Sequence, residues 1–146
     1  MDLGCYGIHA LRSLLGSEPT VLRAHSRWQG SVDVETQASL AFGEVEAQVR
    51  CSMDPSAPAS SLLIEGTEGL LEISGFVLPH RNGRASLTRG GIRRELLVDG
   101  PSSYAAQLDH VALAMRGEKA PFTGGGDAIA NMSVLDRIKC VSRGSA

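Results

Sequence analysis

Apolar residues along the chain change their period twice. Ile8, Leu11 and Leu15 recur at helical spacing between residues 5 and 15, and Gly16 follows as a stop, which predicts a first helix. After Pro19 the period becomes two. Val32, Val34, Thr36, Ala38, Leu40 and Phe42 alternate with Asp33, Glu35, Gln37, Ser39 and Ala41. Beyond Gly43, Val45, Ala47, Val49, Cys51 and Met53 alternate with Glu44, Glu46, Gln48, Arg50 and Ser52. Two such strands, each with one wet face and only a glycine region between them, predict a tight antiparallel hairpin. Residues 61–65 and 69–74 read as shorter strands around the turn Gly66-Thr67-Glu68-Gly69, with weaker strands at 19–27 and 92–98. The helical period returns after Pro101 with Tyr104, Leu108, Val111, Ala112 and Met115, and again from about Asp127 with Leu135, Ile138 and Val141. Residues 57–61 and 124–126 read as loops. One helix, a run of strands and two helices predict an α+β fold, an open and mostly antiparallel sheet with helices packed on one face.

Length and charge narrow the class. The 146 residues support a single domain over 1–146 and not two ordinary ones. Fourteen Lys and Arg against 16 Asp and Glu leave a formal charge of −2, with no long-range attraction to nucleic acid or to an anionic membrane. A small-molecule or protein partner is the better expectation. Cys5, Cys51 and Cys140 are odd in number and widely spaced, which reads as a reducing compartment, with cytoplasm as the default. No apolar run approaches the roughly 20 residues of a membrane span, and the N-terminus does not read as a signal peptide.

Candidate chemistry concentrates at the start. At about 100° per residue, Asp2, Tyr6, His9 and Ser13 fall within roughly a 60° sector if the helix begins near Asp2. Leu11 and Leu15 lie on nearly the opposite side. A carboxylate, a phenol and an imidazole on one stripe can pass a proton to or from a bound hydroxyl or carbonyl. On spacing alone, the same stripe also suits a solvated helix face.

The stretch "MDLGCYGIHALRSLLGSEP" resembles the segment that opens the C-terminal domain of the Gfo/Idh/MocA oxidoreductases, in particular the subgroup of glucose-fructose oxidoreductase and dimeric dihydrodiol dehydrogenase. "LLIEGTEGLLEI" is similar to that family's mid-sheet strand and turn, and "PFTGGGDAIANMSVLDRIKCVSRG" to its final helix. The resemblance thus covers nearly the whole chain in the right order. It implies that Tyr6 is the proton donor or acceptor at a substrate carbinol, that Asp2 is its acidic companion, and that His9 lines the substrate pocket. It gives Ser13 no role. It also implies an NAD or NADP cofactor held mainly by an N-terminal Rossmann domain, which the chain lacks: no GxGxxG follows a leading strand, and no Glu-Lys-Pro segment precedes Asp2. No cofactor is therefore expected on this chain alone.

Other features have blander readings. "GEKAP" at 117–121 lies between the last two helices, where Lys119 reads as a solvated loop lysine. "GGGDA" at 124–128 lacks the ending of a P-loop, and Asp127 would repel phosphate, so a helix cap is expected. Arg81, Arg84, Arg89, Arg93 and Arg94 have no interleaved aromatic and read as a solvated hairpin. His25 and His80 lack metal-ligand spacing, His110 suits a satisfied helix face, and Cys5 suits a packed thiol.

Two functions follow. In the first, the chain is the substrate-binding and oligomerisation domain of an NAD(P)-dependent oxidoreductase. It acts on a sugar, polyol or cyclic diol, is inactive alone, and is expected to oligomerise through a polar, hydrated contact on the open sheet face. In the second, it is a standalone sheet domain that scaffolds a protein partner.

Overall fold

The structure, a computed structural model, describes residues 3–54, 60–97 and 99–144. Its elements are α1 (Gly4–Leu15), β1 (Thr20–Gln29), β2 (Val32–Phe42), β3 (Val45–Ser52), β4 (Ser61–Gly66), β5 (Gly69–Ser74), β6 (Arg84–Arg89), β7 (Ile92–Leu96), α2 (Ser103–Met115) and α3 (Gly125–Gly144). The α+β class with antiparallel strands is as the periodicity predicts. The strands divide into two sheets, ordered β1-β2-β3 and β4-β5-β6-β7, and the chain into two compact units. Alternation reports which face of a strand is wet and carries no information on which strands share a sheet.

The first unit holds α1, β1–β3 and α3. Its phase follows the pattern: β2 buries Thr36, Ala38, Leu40 and Phe42. Ala24, Ala38 and Val49 sit in register across the three strands. This row of small residues lets helices approach the sheet, where Ile8 of α1 and Val134, Leu135 and Ile138 of α3 complete the core. A Cβ added at Gly7 would stand 3.3 Å from Val49 Cγ1, so α1 lies close over β3. Ile8, Leu40, Val134 and Ile138 are fully buried, each worth about 1.5–3 kcal/mol relative to exposure. Thr36, also buried, donates from Oγ1 to Asp33 Oδ2 at 3.1 Å and lies 2.9 Å from Ser26 Oγ, so its hydroxyl is satisfied.

Helix α1 ends where the sequence says it should. Gly16 adopts φ 63°, the left-handed conformation that suits glycine, and its N–H donates to the Arg12 carbonyl. The start of α3 differs from expectation. Gly125 and Gly126 are helical, and Gly124 supplies the carbonyl to Ala128 N. Asp127 therefore sits inside the first turn, past the cap position that the sequence suggested for it.

The second unit holds β4–β7 and α2. Strand β6 lies in the arginine-rich stretch and has too few apolar residues to announce itself, yet it buries Ala85 and Ser86. With β7 it forms a hairpin around Gly90 and Gly91, both at positive φ. Arg93 pairs with Glu72 at 2.8 Å and Arg89 with Glu68, so these arginines are solvated sheet residues answered by carboxylates. Helix α2 is capped by Ser102, whose hydroxyl accepts from Ala105 N at 3.2 Å. Its apolar stripe is not core: Tyr104, Leu108, Val111 and Met115 are exposed. His110 Nε2 accepts from Phe122 N at 3.0 Å, a satisfied helix-face histidine as expected. The weak strand expected at 92–98 stops at Leu96, and its Val98 lies outside the described residues, as do 57–59 of the loop expected at 57–61. Ser61, the last residue of that loop, opens β4.

Gly69 begins β5 opposite Arg89, and a Cβ there would collide with the Thr88 carbonyl oxygen. Gly69→Ala is therefore expected to force the β5–β6 ladder apart and cost about 1–3 kcal/mol, read as a lower urea midpoint with unchanged slope.

Candidate functional site

Tyr6 and His9 stand one helical turn apart on α1, with the Tyr6 residue 50 % exposed. His9 Nε2 lies 3.5 Å from Ser13 Oγ. This is the stripe that the spacing predicts. Asp2, its expected acidic member, lies outside the described residues.

A different carboxylate reaches the stripe. Helix α3 runs beside α1, and Asn131 Nδ2 donates to the Cys5 carbonyl at 3.2 Å, tying the two helices together. One turn earlier on α3, Asp127 meets α1 with both oxygens. Oδ1 accepts from Arg12 Nη1 at 2.7 Å, and Oδ2 stands 3.3 Å from His9 Nδ1. Arg12 grips Glu18 with its other edge, Nε at 3.0 Å and Nη2 at 2.7 Å from Oε1. The Arg12 side chain is only 9 % exposed, so this guanidinium is enclosed between two carboxylates. Asp127 thus serves Arg12 and His9 and is not the phosphate-repelling cap the sequence suggested.

The electrostatics follow. Hydrogen bonding from Arg12 holds Glu18 below the usual carboxylate range, against a smaller opposing effect of burial. The bond to Glu18, with Asp127 behind it, raises the Arg12 guanidinium further still, against desolvation. Because the folded Glu18 is the more acidic, its contribution is present above its unfolded pKa and is lost as pH falls through the folded one. Wild type is expected to lose more stability on acidification below the usual carboxylate range than Glu18→Gln does. Chemical melts at neutral and acid pH check this. At 53 % side-chain exposure of Glu18, the difference is modest.

Sequence reasoning missed Arg12, Glu18 and Asp127 as a group. The available signal is that Arg12 follows His9 by three residues, on the same helix side, in a last turn that favours a cation.

A cavity of about 300 Å³ opens in the same unit, lined by Cys5, Trp28, Asp33, Leu135, Asp136 and Lys139 among others. Trp28 is held by Arg143, whose guanidinium lies 4.8 Å from the ring centroid. Among the described residues of α1, Cys5 lines this cavity, about 100° round the helix from Tyr6. Burial pushes the Cys51 thiol up, away from nucleophilic use. Among the described residues no group of three His, Cys, Asp or Glu is placed to hold a metal, and no helix is long and apolar enough to cross a membrane. All strand pairs among the described residues are antiparallel, so the described residues form no βαβ turn of the kind that cradles a dinucleotide pyrophosphate.

No family model and no curated protein matches the chain. Solved structures do match in fold. The aldose-aldose oxidoreductase of Caulobacter crescentus, in complex with glycerol, superposes with TM-score 0.87 at 22 % identity, over 98 % of this chain and 44 % of that one. KijD10, a 3-ketoreductase from Actinomadura kijaniata in complex with TDP-benzene and NADP, gives 0.83 at 21 %, over 96 % and 46 %. The UDP-N-acetylglucosamine 3-dehydrogenase GnnA from Acidithiobacillus ferrooxidans gives 0.85 at 15 %, over 97 % and 46 %. These are Gfo/Idh/MocA-type oxidoreductases. The chain shares their fold and spans less than half their length.

Proposed function

We propose that this chain is the substrate-binding and oligomerisation domain of an NAD(P)-dependent oxidoreductase of the Gfo/Idh/MocA type, acting on a sugar, polyol or cyclic diol. The observation that carries the reading is the half-exposed Tyr6 beside His9 on α1, in a fold shared over 96–98 % of this chain with three oxidoreductases, two of them named for sugar substrates. A dinucleotide held by a domain outside this chain would supply the hydride chemistry at the substrate carbon. Tyr6 supplies the proton step at the adjacent oxygen: as phenolate it takes the carbinol proton while hydride leaves the carbon on oxidation, and as phenol it returns that proton to the carbonyl oxygen on reduction. Asp2 is its acidic companion, and His9 lines the site. The exposed sheet face, where Arg27 and Arg50 flank Glu35 at 3.7 and 2.9 Å, suits a polar and hydrated contact with a second subunit.

The test has two arms. The coding sequence upstream of Met1 is read in frame for a strand, a GxGxxG turn and a Glu-Lys-Pro. The protein so encoded is then assayed with a panel of aldoses and polyols by nicotinamide absorbance. Dinucleotide-dependent turnover by the long form and none by the 146-residue chain is the expected result. A stop codon upstream, with no such domain supplied by a partner chain, overturns the enzyme reading in favour of a protein-binding scaffold.

A further inference from the structure

We infer that β7 is a self-pairing edge: Ile92–Leu96 of one copy of this chain lies antiparallel to Ile92–Leu96 of a second copy, about a two-fold axis at Arg94, and joins their four-stranded sheets into one. The inference stands apart from the oxidoreductase reading and from the polar face of the first sheet. Strand β7 ends its sheet, all five of its residues are exposed, and among the described residues no other strand or loop bonds to its outer side. An edge left open in this way is a template for another strand. Strand β1, an edge of the first sheet, is broken by two register shifts, whereas β7 runs without one and contains no proline.

The β6–β7 ladder fixes which backbone groups are open. Gly90 and Gly91 make a two-residue turn, so Arg89 and Ile92 close it as a hydrogen-bonded pair. Such pairs recur at every second residue. Ile92, Arg94 and Leu96 therefore spend their N–H and C=O groups on β6, while Arg93 and Glu95 turn theirs outward. Charge then selects the register. Centred on Arg94, Arg93 of one copy stands opposite Glu95 of the other, twice over, and each such pair exchanges two main-chain bonds. Centred on Arg93 or on Glu95, the same strands would set like charges opposite each other, which is unfavourable. On the other face of the strand the Arg94 register brings Ile92 opposite Leu96, extending the apolar row of Ala85 and Leu87. Arg94 meets its own copy at the axis, a like-charge pair that, with only five residues a side, makes the dimer weak and reversible.

The test is cysteine trapping in the full 146-residue chain, with the exposed Cys140 replaced by Ser. Residues opposed at the axis have Cα atoms about 4.5–5.5 Å apart, within the span of a disulfide. Arg94→Cys is therefore expected to give a covalent dimer on mild oxidation with diamide, its bond mapped to position 94 by mass spectrometry. Ile92→Cys, about 13 Å along the strand from its own copy, should give none. Sedimentation of the wild type at rising concentration should show an association step that Glu95→Arg and Arg93→Glu each abolish, since each sets like charges opposite. Mixing the two variants should restore the step, because Arg again faces Glu at both pairs. Arg93 also binds Glu72, so circular dichroism checks that Arg93→Glu folds. If it does not, Glu95→Pro takes its place: it removes an outward N–H that the β6–β7 ladder does not use, and it must abolish the association step. Absence of a cross-link at 94, equal cross-linking at 92, or a folded mixture that fails to associate overturns the inference.

Discussion

Tyr6→Phe in the long form is expected to lower kcat by about 10²- to 10⁴-fold, the usual worth of a positioned acid or base, while KM changes little. The substitution removes one oxygen and keeps the ring, so shape in the site is preserved. Tyr6 is 50 % exposed and absent from the core cluster, so stability should stay within about 0.5 kcal/mol of wild type. The loss therefore reports on proton transfer and not on folding. The kinetic pattern is diagnostic: an interaction used only in the transition state lowers kcat and kcat/KM together. Turnover that survives the loss of the phenol would remove Tyr6 from the chemistry and leave His9 as the group to examine next.

Ile138→Ala is expected to produce the largest loss of stability, about 2–5 kcal/mol. Ile138 is fully buried where α3 lies on the sheet, among Ala24, Ala38, Leu40 and Val49. Ala24 and Ala38 are already small and cannot move in to fill a void, and Leu40 is tied into a paired strand. The cavity therefore stays open and its cost is felt in full. A Tm lowered by at least about 10 °C is the expected reading in a thermal melt. The exposed Leu97, 91 % accessible, is the control, and its replacement by Ala should be close to neutral. A Tm for Ile138→Ala within a degree or two of wild type would mean that α3 does not carry this core.

What could be read from the sequence divides along physical lines. Strands β2 and β3 declare their bounds because each has one drier face, and period two is unmistakable in Val32 to Phe42. Gly16 announced the end of α1 because few other residues tolerate its backbone. Strand β6 stayed hidden because Arg84, Ser86, Thr88 and Arg89 give it no apolar face, and its order comes from pairing with β5. The division into two sheets is a matter of partners, which periodicity does not encode. The same limit applies to the site. Tyr6 and His9 were visible because three residues make one helical turn. The ion cluster of Arg12, Glu18 and Asp127 was not, because its members meet only after α3 packs against α1. Asp127, taken by itself, looks like any carboxylate at a helix start.

The two units also differ in the order in which a ribosome delivers them. The second is one continuous stretch, 57–122, complete before the last helix is made. The first is interrupted by it: β1–β3 emerge early, and the helix that covers their apolar face comes only with residues 125–144. Until then Leu40, Phe42 and Val49 have no α3 to shield them, and closing the core means joining segments separated by the whole second unit, a slow, non-local step. The nascent first sheet is thus the part of this protein most exposed to aggregation and most dependent on chaperone cover, and a chain cut short before α3 should be insoluble even though all three of its strands are present.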